Sequence, residues 1–102
     1  MPAYLIIQIK FTAPKERFAA YRDAVGPLAA EFGGRYLIAG GAKIDVLEGA
    51  HDGRSLVIFE FPSMDTLHAF WTSPRYADVM KLREGLADLD VWAAPGFQLA
   101  GS

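Results

Sequence analysis

Two strand-like segments of this chain are apolar on both of their faces, and this feature limits the folds open to it. They are AYLIIQIKF, residues 3–11, and SLVIFEF, residues 55–61. Helices can cover only one face of a small sheet, and each large apolar side chain left exposed forgoes roughly 1.5–3 kcal/mol of burial. The economical cover for the second face is another copy of the chain, sheet against sheet. The sequence therefore predicts a homodimer joined through its sheet faces.

The second face also carries a carboxylate, Glu60, among the apolar side chains Ile6, Leu56 and Ile58. A carboxylate at such a place must find a partner or take up a proton. We expect Arg35 or Arg83, from either subunit, to pair with it. A structural ion pair is the first interpretation, and an acid–base role for an unpaired Glu60 is the alternative.

The remaining segments predict an alternation of strands and helices. Apolar side chains recur at steps of three and four from residue 18 to residue 32, where Gly26-Pro27 predicts a kink or a break. Ser63 and Ser73 are predicted to cap two further helices, and DVWAA, residues 90–94, to form the last strand.

Residues 35–48, RYLIAGGAKIDVLE, allow two interpretations. They form either a tight hairpin or one long strand that bends at Gly40-Gly41 and pairs antiparallel with residues 55–61. The second gives a split βαβ sheet, and we adopt it. The predicted fold is α+β: a ferredoxin-like βαββαβ antiparallel sheet with helices on one face, in one domain over residues 1–102 with a tail from about residue 95.

The glycine pairs of FGGRYLIAGG, residues 32–41, do not match a phosphate-binding loop. The P-loop interval is absent, and the dinucleotide fingerprint needs glycines that open a helix rather than follow one. Gly33 is expected to end a helix in the left-handed region. Gly40 or Gly41 is expected to have a positive φ or to mark a bulge.

Composition excludes several classes of function. The net charge is −2 with no basic cluster, so we expect no nucleic-acid partner, and the longest apolar runs are too short for a membrane span. The chain has no cysteine and only two histidines, without a metal-ligand spacing, so no metal and no cofactor are expected. The absence of cysteine and of a recognisable signal peptide favours a cytoplasmic location.

Candidate chemistry gathers in the predicted helical region after residue 63. His68 is the best general acid or base by its ordinary pKa, although a packed helix histidine is the plainer interpretation. Phe70 and Trp71 precede a predicted helix break, and Tyr76 follows it. A pocket between helices and sheet could open at this break.

Six short motifs occur in a characteristic order: MPAYLI, GGRYLIAGG, LEG, FEFPS, SPRY and LRE. Over about residues 2–93 the chain resembles the domain of unknown function 1330 family, in the dimeric α/β-barrel superfamily. The resemblance implies a ferredoxin-like monomer and a dimer joined through its sheets. That superfamily includes cofactor-independent monooxygenases, haem-degrading enzymes, and isomerases or dehydratases of small molecules. The chain departs from the family pattern at Ala39, usually basic, and at Phe70-Trp71, usually Trp-Tyr.

These observations predict a small homodimeric protein that binds a small, partly apolar molecule in a cleft between helices and sheet, and transforms it without a cofactor. The candidate catalytic residues are His68, Tyr76 and Arg83. The candidate ligand-binding residues are Arg35, Glu60, Phe70 and Trp71. The alternatives are a binding or regulatory module without chemistry, and a structural dimer whose pocket is filled by its own side chains.

Overall fold

The computed structural model describes residues 1–97, in which four antiparallel strands form one sheet. The strands are β1 (Ala3–Phe11), β2 (Arg35–Ile38), β3 (Ser55–Phe61) and β4 (Ala87–Pro95). Their order across the sheet is β2-β3-β1-β4, which places β1 between β3 and β4. This is the predicted ferredoxin-like order. Most of the predicted tail, residues 98–102, lies outside the described residues.

Three helices connect these strands: α1 (Ala19–Glu31), α2 (Met64–Trp71) and α3 (Pro74–Met80). Short 3₁₀ turns precede α1 at Lys15–Phe18 and follow α3 at Lys81–Arg83. Both predicted serine caps are confirmed, because the side chain of Ser63 accepts from the Thr66 N–H and that of Ser73 from the Tyr76 N–H. No helix within residues 1–97 is long and apolar enough to cross a membrane.

The helices cover one face of the sheet, as predicted. On that face every side chain of β1 from Ala3 to Ile9 and of β3 from Val57 to Phe61 is buried. The alternate side chains of both strands remain partly exposed on the opposite face, which we call the open face. The assignment of the side chains to two faces, made from the sequence, is therefore confirmed, and within residues 1–97 the helices leave the open face uncovered.

Of the kink or break predicted at Gly26-Pro27, the break is absent, because helix α1 runs through both residues. Pro27 lacks the N–H that would bond to the Asp23 carbonyl, yet packing on the sheet maintains the helix across this site. The predicted end at Gly33 is confirmed. Gly33 has a φ of 83°, and its N–H donates to the Ala30 carbonyl at 3.0 Å.

The prediction of one long strand over residues 35–48 is wrong. Strand β2 ends at Ile38, which pairs with Ile58, so continuing that register would bring residue 41 opposite Ser55, where β3 begins. Residues beyond 41 would have no strand to pair with, and 39–54 form a loop. Among the described glycines, Gly40 and Gly41 lack positive φ, and the irregular pairing lies between Tyr36 and Ile38. The expected bend at the glycine pair is therefore also wrong.

We expect Gly34→Ala to destabilise the protein by about 1–3 kcal/mol, because the added methyl overfills a closed site. Its Cβ would lie 2.7 Å from Phe61 Cε1 and 3.0 Å from the carbonyl oxygen of Ala29. Urea denaturation measures the change. Gly41→Ala is the matched control, since nothing lies within 4 Å of its Cβ, and its free energy of unfolding should stay within about 0.5 kcal/mol of the original. Equal effects at the two glycines would contradict the packing described.

Candidate functional site

The three helices cover the sheet unevenly, and the region beneath α2 and α3 is densely packed. There the ring centroids of Phe61 and Phe70 lie 5.3 Å apart, and those of Phe70 and Tyr76 lie 4.9 Å apart. Two further rings pack against this group: the centroid of Trp71 lies 4.8 Å from that of Tyr76, and the centroid of Phe32 lies 5.9 Å from that of Phe70. We call these five rings the aromatic cluster. They fill the space at the turn between α2 and α3, where the sequence predicted a pocket.

An open cleft of about 750 Å³ lies instead between α1 and the sheet. Pockets of roughly 300–1,000 Å³ are typical of small-molecule sites. The sheet contributes apolar side chains to its walls from β1 and β3, and α1 with its preceding 3₁₀ turn forms the opposite wall. The buried lining side chains are Ile7, Ile9, Phe18, Tyr21, Val25, Val57 and Phe59. The start of the 39–54 loop also lines the cleft, through Ala39, Gly40 and Gly41.

Aromatic contacts shape both ends of the cleft. Phe18 packs edge-on against Phe11, with centroids 5.2 Å apart, and against Tyr21 at 5.0 Å. On the other side Tyr36 lies against Phe59, with centroids 4.2 Å apart and an interplanar angle of 33°. Such offset and edge-to-face pairs hold their rings in place, so these walls are largely preformed.

The charged groups of the cleft lie on its rim. Lys15 and Arg22 provide two cations, Glu16 and Asp23 provide two anions, and all four residues are exposed. The opposite charges balance, so the rim offers no net attraction to an anion or a cation. The walls beneath are apolar, which suits an uncharged or weakly polar molecule.

Tyr21 is the buried polar group in the wall of the cleft. Its hydroxyl and that of Tyr76 are 2.9 Å apart, and the Arg83 guanidinium carbon lies 5.5 Å from the Tyr21 ring centroid. Burial raises the pKa of the Tyr21 phenol far above its ordinary value, the neighbouring Tyr76 adds to the rise, and Arg83 opposes it. The phenol is therefore neutral at physiological pH and acts as a hydrogen-bonding group.

The structure brings two of the three predicted catalytic residues together. Tyr76 and Arg83 meet around Tyr21, behind the cleft wall, and the buried Arg83 Nε has no hydrogen-bond partner within residues 1–97. His68 lies on the exposed side of α2 and is outside the set of cleft-lining residues in the described chain. Catalytic roles for the three stay a prediction.

The four predicted ligand-binding residues lie away from the cleft within residues 1–97. Phe70 and Trp71 belong to the aromatic cluster. Glu60 pairs with Arg35, whose Nε and Nη2 both lie 2.9 Å from Glu60 Oε1. Of the two partners expected for Glu60, Arg35 is confirmed. The two residues are directly opposite each other on β2 and β3, so the pair bridges those strands on the open face.

Sequence reasoning missed most of the cleft because its position depends on where α1 lies over the sheet. Two local signals point to it in retrospect. Gly26-Pro27 is an unfavourable pair for a helix interior, and both residues line the cleft. Ala39, one of the departures from the family pattern, lines it too. Within residues 1–97 no His, Cys, Asp or Glu side chains form a group that could hold a metal ion.

Comparison with known proteins identifies the family of this chain. The model of the family described as "Domain of unknown function (DUF1330)" matches residues 2–97. The chain belongs to this family. The family description states no activity, and no functionally curated protein matches this DUF1330 member.

Several solved structures share the fold. One is the RPA0582 protein of unknown function from Rhodopseudomonas palustris, with 21% identity, coverage of 96% of this chain and 84% of that chain, and a TM-score of 0.72. Another is SnoaB, a cofactor-independent oxygenase from Streptomyces nogalater, with 10% identity, coverage of 99% and 98%, and a TM-score of 0.64. A third, from Bacteroides fragilis, is described as dimeric with a ferredoxin-like fold, with 12% identity, coverage of 91% and 94%, and a TM-score of 0.55. At these identities the similarity establishes the fold alone.

The raised pKa of Tyr21 predicts a loss of stability at alkaline pH. In the unfolded chain the phenol ionises near pH 10, whereas in the folded DUF1330 protein it keeps its proton. Its contribution is fully present below pH 10 and falls above it, by about 1.4 kcal/mol per pH unit for one proton. Urea denaturation between pH 9 and pH 11 measures the slope. Tyr21→Phe should flatten it by one proton, and an unchanged slope would contradict the burial of this phenol.

Proposed function

We propose that this protein is a homodimer in which each subunit binds one small, uncharged, partly apolar molecule in the cleft beneath α1. The observation that carries the proposal is the cleft itself: about 750 Å³ of open space with preformed apolar walls and a charge-balanced rim. A structural dimer without a ligand would be expected to fill this space with side chains, just as five rings fill the space at the aromatic cluster of this protein.

A cofactor-independent reaction in the same cleft is the second candidate. It is favoured by the polar group directly behind the cleft wall, where the Tyr21 phenol is held by Tyr76 and adjoined by Arg83. The fold shared with SnoaB, a cofactor-independent oxygenase, agrees with it. The cleft walls hold no histidine within residues 1–97, and their charged side chains are confined to the rim. Binding is therefore the stronger candidate.

The dimer is proposed from the open face of the sheet. Ile6 on the central strand is flanked by Ile58 and by Trp92, which is 53% exposed. Arg54 joins Gln8 and Asp90 beside them, with Nη1–O distances of 3.2 and 2.5 Å. An apolar centre with satisfied polar groups at its edge suits a self-complementary interface. The dimeric relative from Bacteroides fragilis agrees with this arrangement.

Ligand binding is tested by extracting the purified protein with organic solvent and identifying released molecules by mass spectrometry. Val57→Phe fills the cleft floor and should reduce the extracted ligand by about tenfold or more, because the ligand and the new ring compete for one volume. Ala69→Phe, on the exposed side of α2, is the control and should retain the ligand. A molecule that is retained equally by both variants would place the site elsewhere.

Assembly is tested by Ile6→Lys, which puts a charge at the centre of the open face. The ammonium group would have to be desolvated at a cost of several kcal/mol, so the variant should be monomeric at micromolar concentration. Light scattering with size-exclusion chromatography measures the mass. Val46→Lys, in the exposed 39–54 loop, should leave the dimer intact. A monomeric unaltered protein would refute the interface.

A further inference from the structure

The interior of α1 contains a glycine that helix stability alone does not explain. Gly26 and Pro27 stand together in the middle of the helix, although both are among the least favourable residues there. Two such residues in one turn indicate that something outside the helix needs them. The surroundings of Gly26 identify what that is.

Tyr36 occupies the space that a side chain at position 26 would take. A Cβ added to Gly26 would lie 3.0 Å from Tyr36 Cε2 and 3.5 Å from its hydroxyl oxygen. On its other side the ring lies against Phe59, with centroids 4.2 Å apart. Tyr36 therefore reaches from β2 to the backbone of α1. Gly26, Tyr36 and Phe59 all line the cleft.

Tyr36 is not one of the buried core residues. Its side chain is at the cleft mouth, and the residue is 40% exposed. Its hydroxyl has no hydrogen-bond partner among the described residues, and partial burial raises the pKa of the phenol, so it stays neutral. A glycine in a helix interior, kept for a partly exposed ring, has its explanation at the cleft rather than in the core.

We infer that Tyr36 limits the size of the ligand that the cleft admits, and that Gly26 is glycine because it seats the Tyr36 ring. This inference rests on the proposed binding function. The ring narrows the passage between β2 and α1, and Phe59 beneath it fixes its plane. A narrow, uncharged molecule can pass along the ring, whereas a broader one must displace it.

The test uses two uncharged fluorescent dyes of different width, N-phenyl-1-naphthylamine and the broader Nile red, titrated against the full-length protein. Tyr36→Ala should raise the affinity for Nile red relative to the smaller dye by about tenfold, since one overfilled contact is removed. Tyr36→Phe keeps the ring and should keep the original ratio. Tyr36→Leu is a second truncation that retains apolar contact with Phe59, should Tyr36→Ala fold poorly.

Gly26→Ala tests the seat of the ring through a double-mutant cycle. Its methyl should change the ratio of the two dye affinities about threefold or more when Tyr36 is present. It should have no effect in the Tyr36→Ala background, because the Tyr36 ring that the methyl would contact is then absent. Leu82→Ala removes an apolar side chain of similar exposure, 42%, outside the cleft. Ala69→Phe adds a ring on the exposed side of α2, also outside the cleft. Both controls should leave the ratio of dye affinities unchanged.

The outcomes separate the two proposals. If neither dye binds the unaltered protein, the proposed binding function and this inference both fail. If the dyes bind but truncation of Tyr36 leaves their ratio unchanged, Tyr36 does not limit ligand size and binding stands. If Gly26→Ala acts equally with and without the ring, Gly26 does not seat it, and the inference is overturned in that part.

Discussion

The whole arrangement depends on β1, a central strand that needs apolar cover on both of its faces. Its Leu5, Ile7 and Ile9 are buried by the helices, while Ile6 on the opposite face lies between Ile58 and Trp92, which is 53% exposed. The hydrophobic effect is non-directional and acts on both faces alike. The three helices within residues 1–97 cover one of these faces, and the alternate side chains on the other face remain partly exposed.

The cleft exists because the helices cover their face of the sheet unevenly. At one end the aromatic cluster fills the space between helices and sheet, and at the other α1 leaves the cleft open. Tyr21 and Tyr76 join the two regions, since Tyr21 lines the cleft, Tyr76 belongs to the cluster, and their hydroxyls are 2.9 Å apart. A rigid neighbour of this kind holds the cleft wall in position without filling it.

Local chemistry made much of the fold predictable from the sequence. Composition and alternation defined β1 and β3, and Ser63 and Ser73 marked helix starts, because caps depend on a few neighbouring residues. The alternating residues 43–48 looked like a strand, but a strand needs a partner, and β3 begins too late in the chain to provide one. The cleft likewise depends on how α1 crosses the sheet, which no local pattern encodes. Gly26-Pro27 and Ala39 were the two local signs of it, and the first of them predicted a kink or a break rather than a cleft.

The position of β1 in the sheet has a consequence for how the chain is made. Of the four described strands it is the first to be synthesised, yet its partners are β3, residues 55–61, and β4, residues 87–95. Both pairings close long stretches of chain, so their contact order is high and their formation slow compared with the helices. Until synthesis reaches β4, one edge of an apolar strand stays unpaired, which makes the nascent chain prone to association through that edge. Among the four described strands, β4 is therefore the latest to be synthesised and the one whose pairing covers the exposed edge of β1.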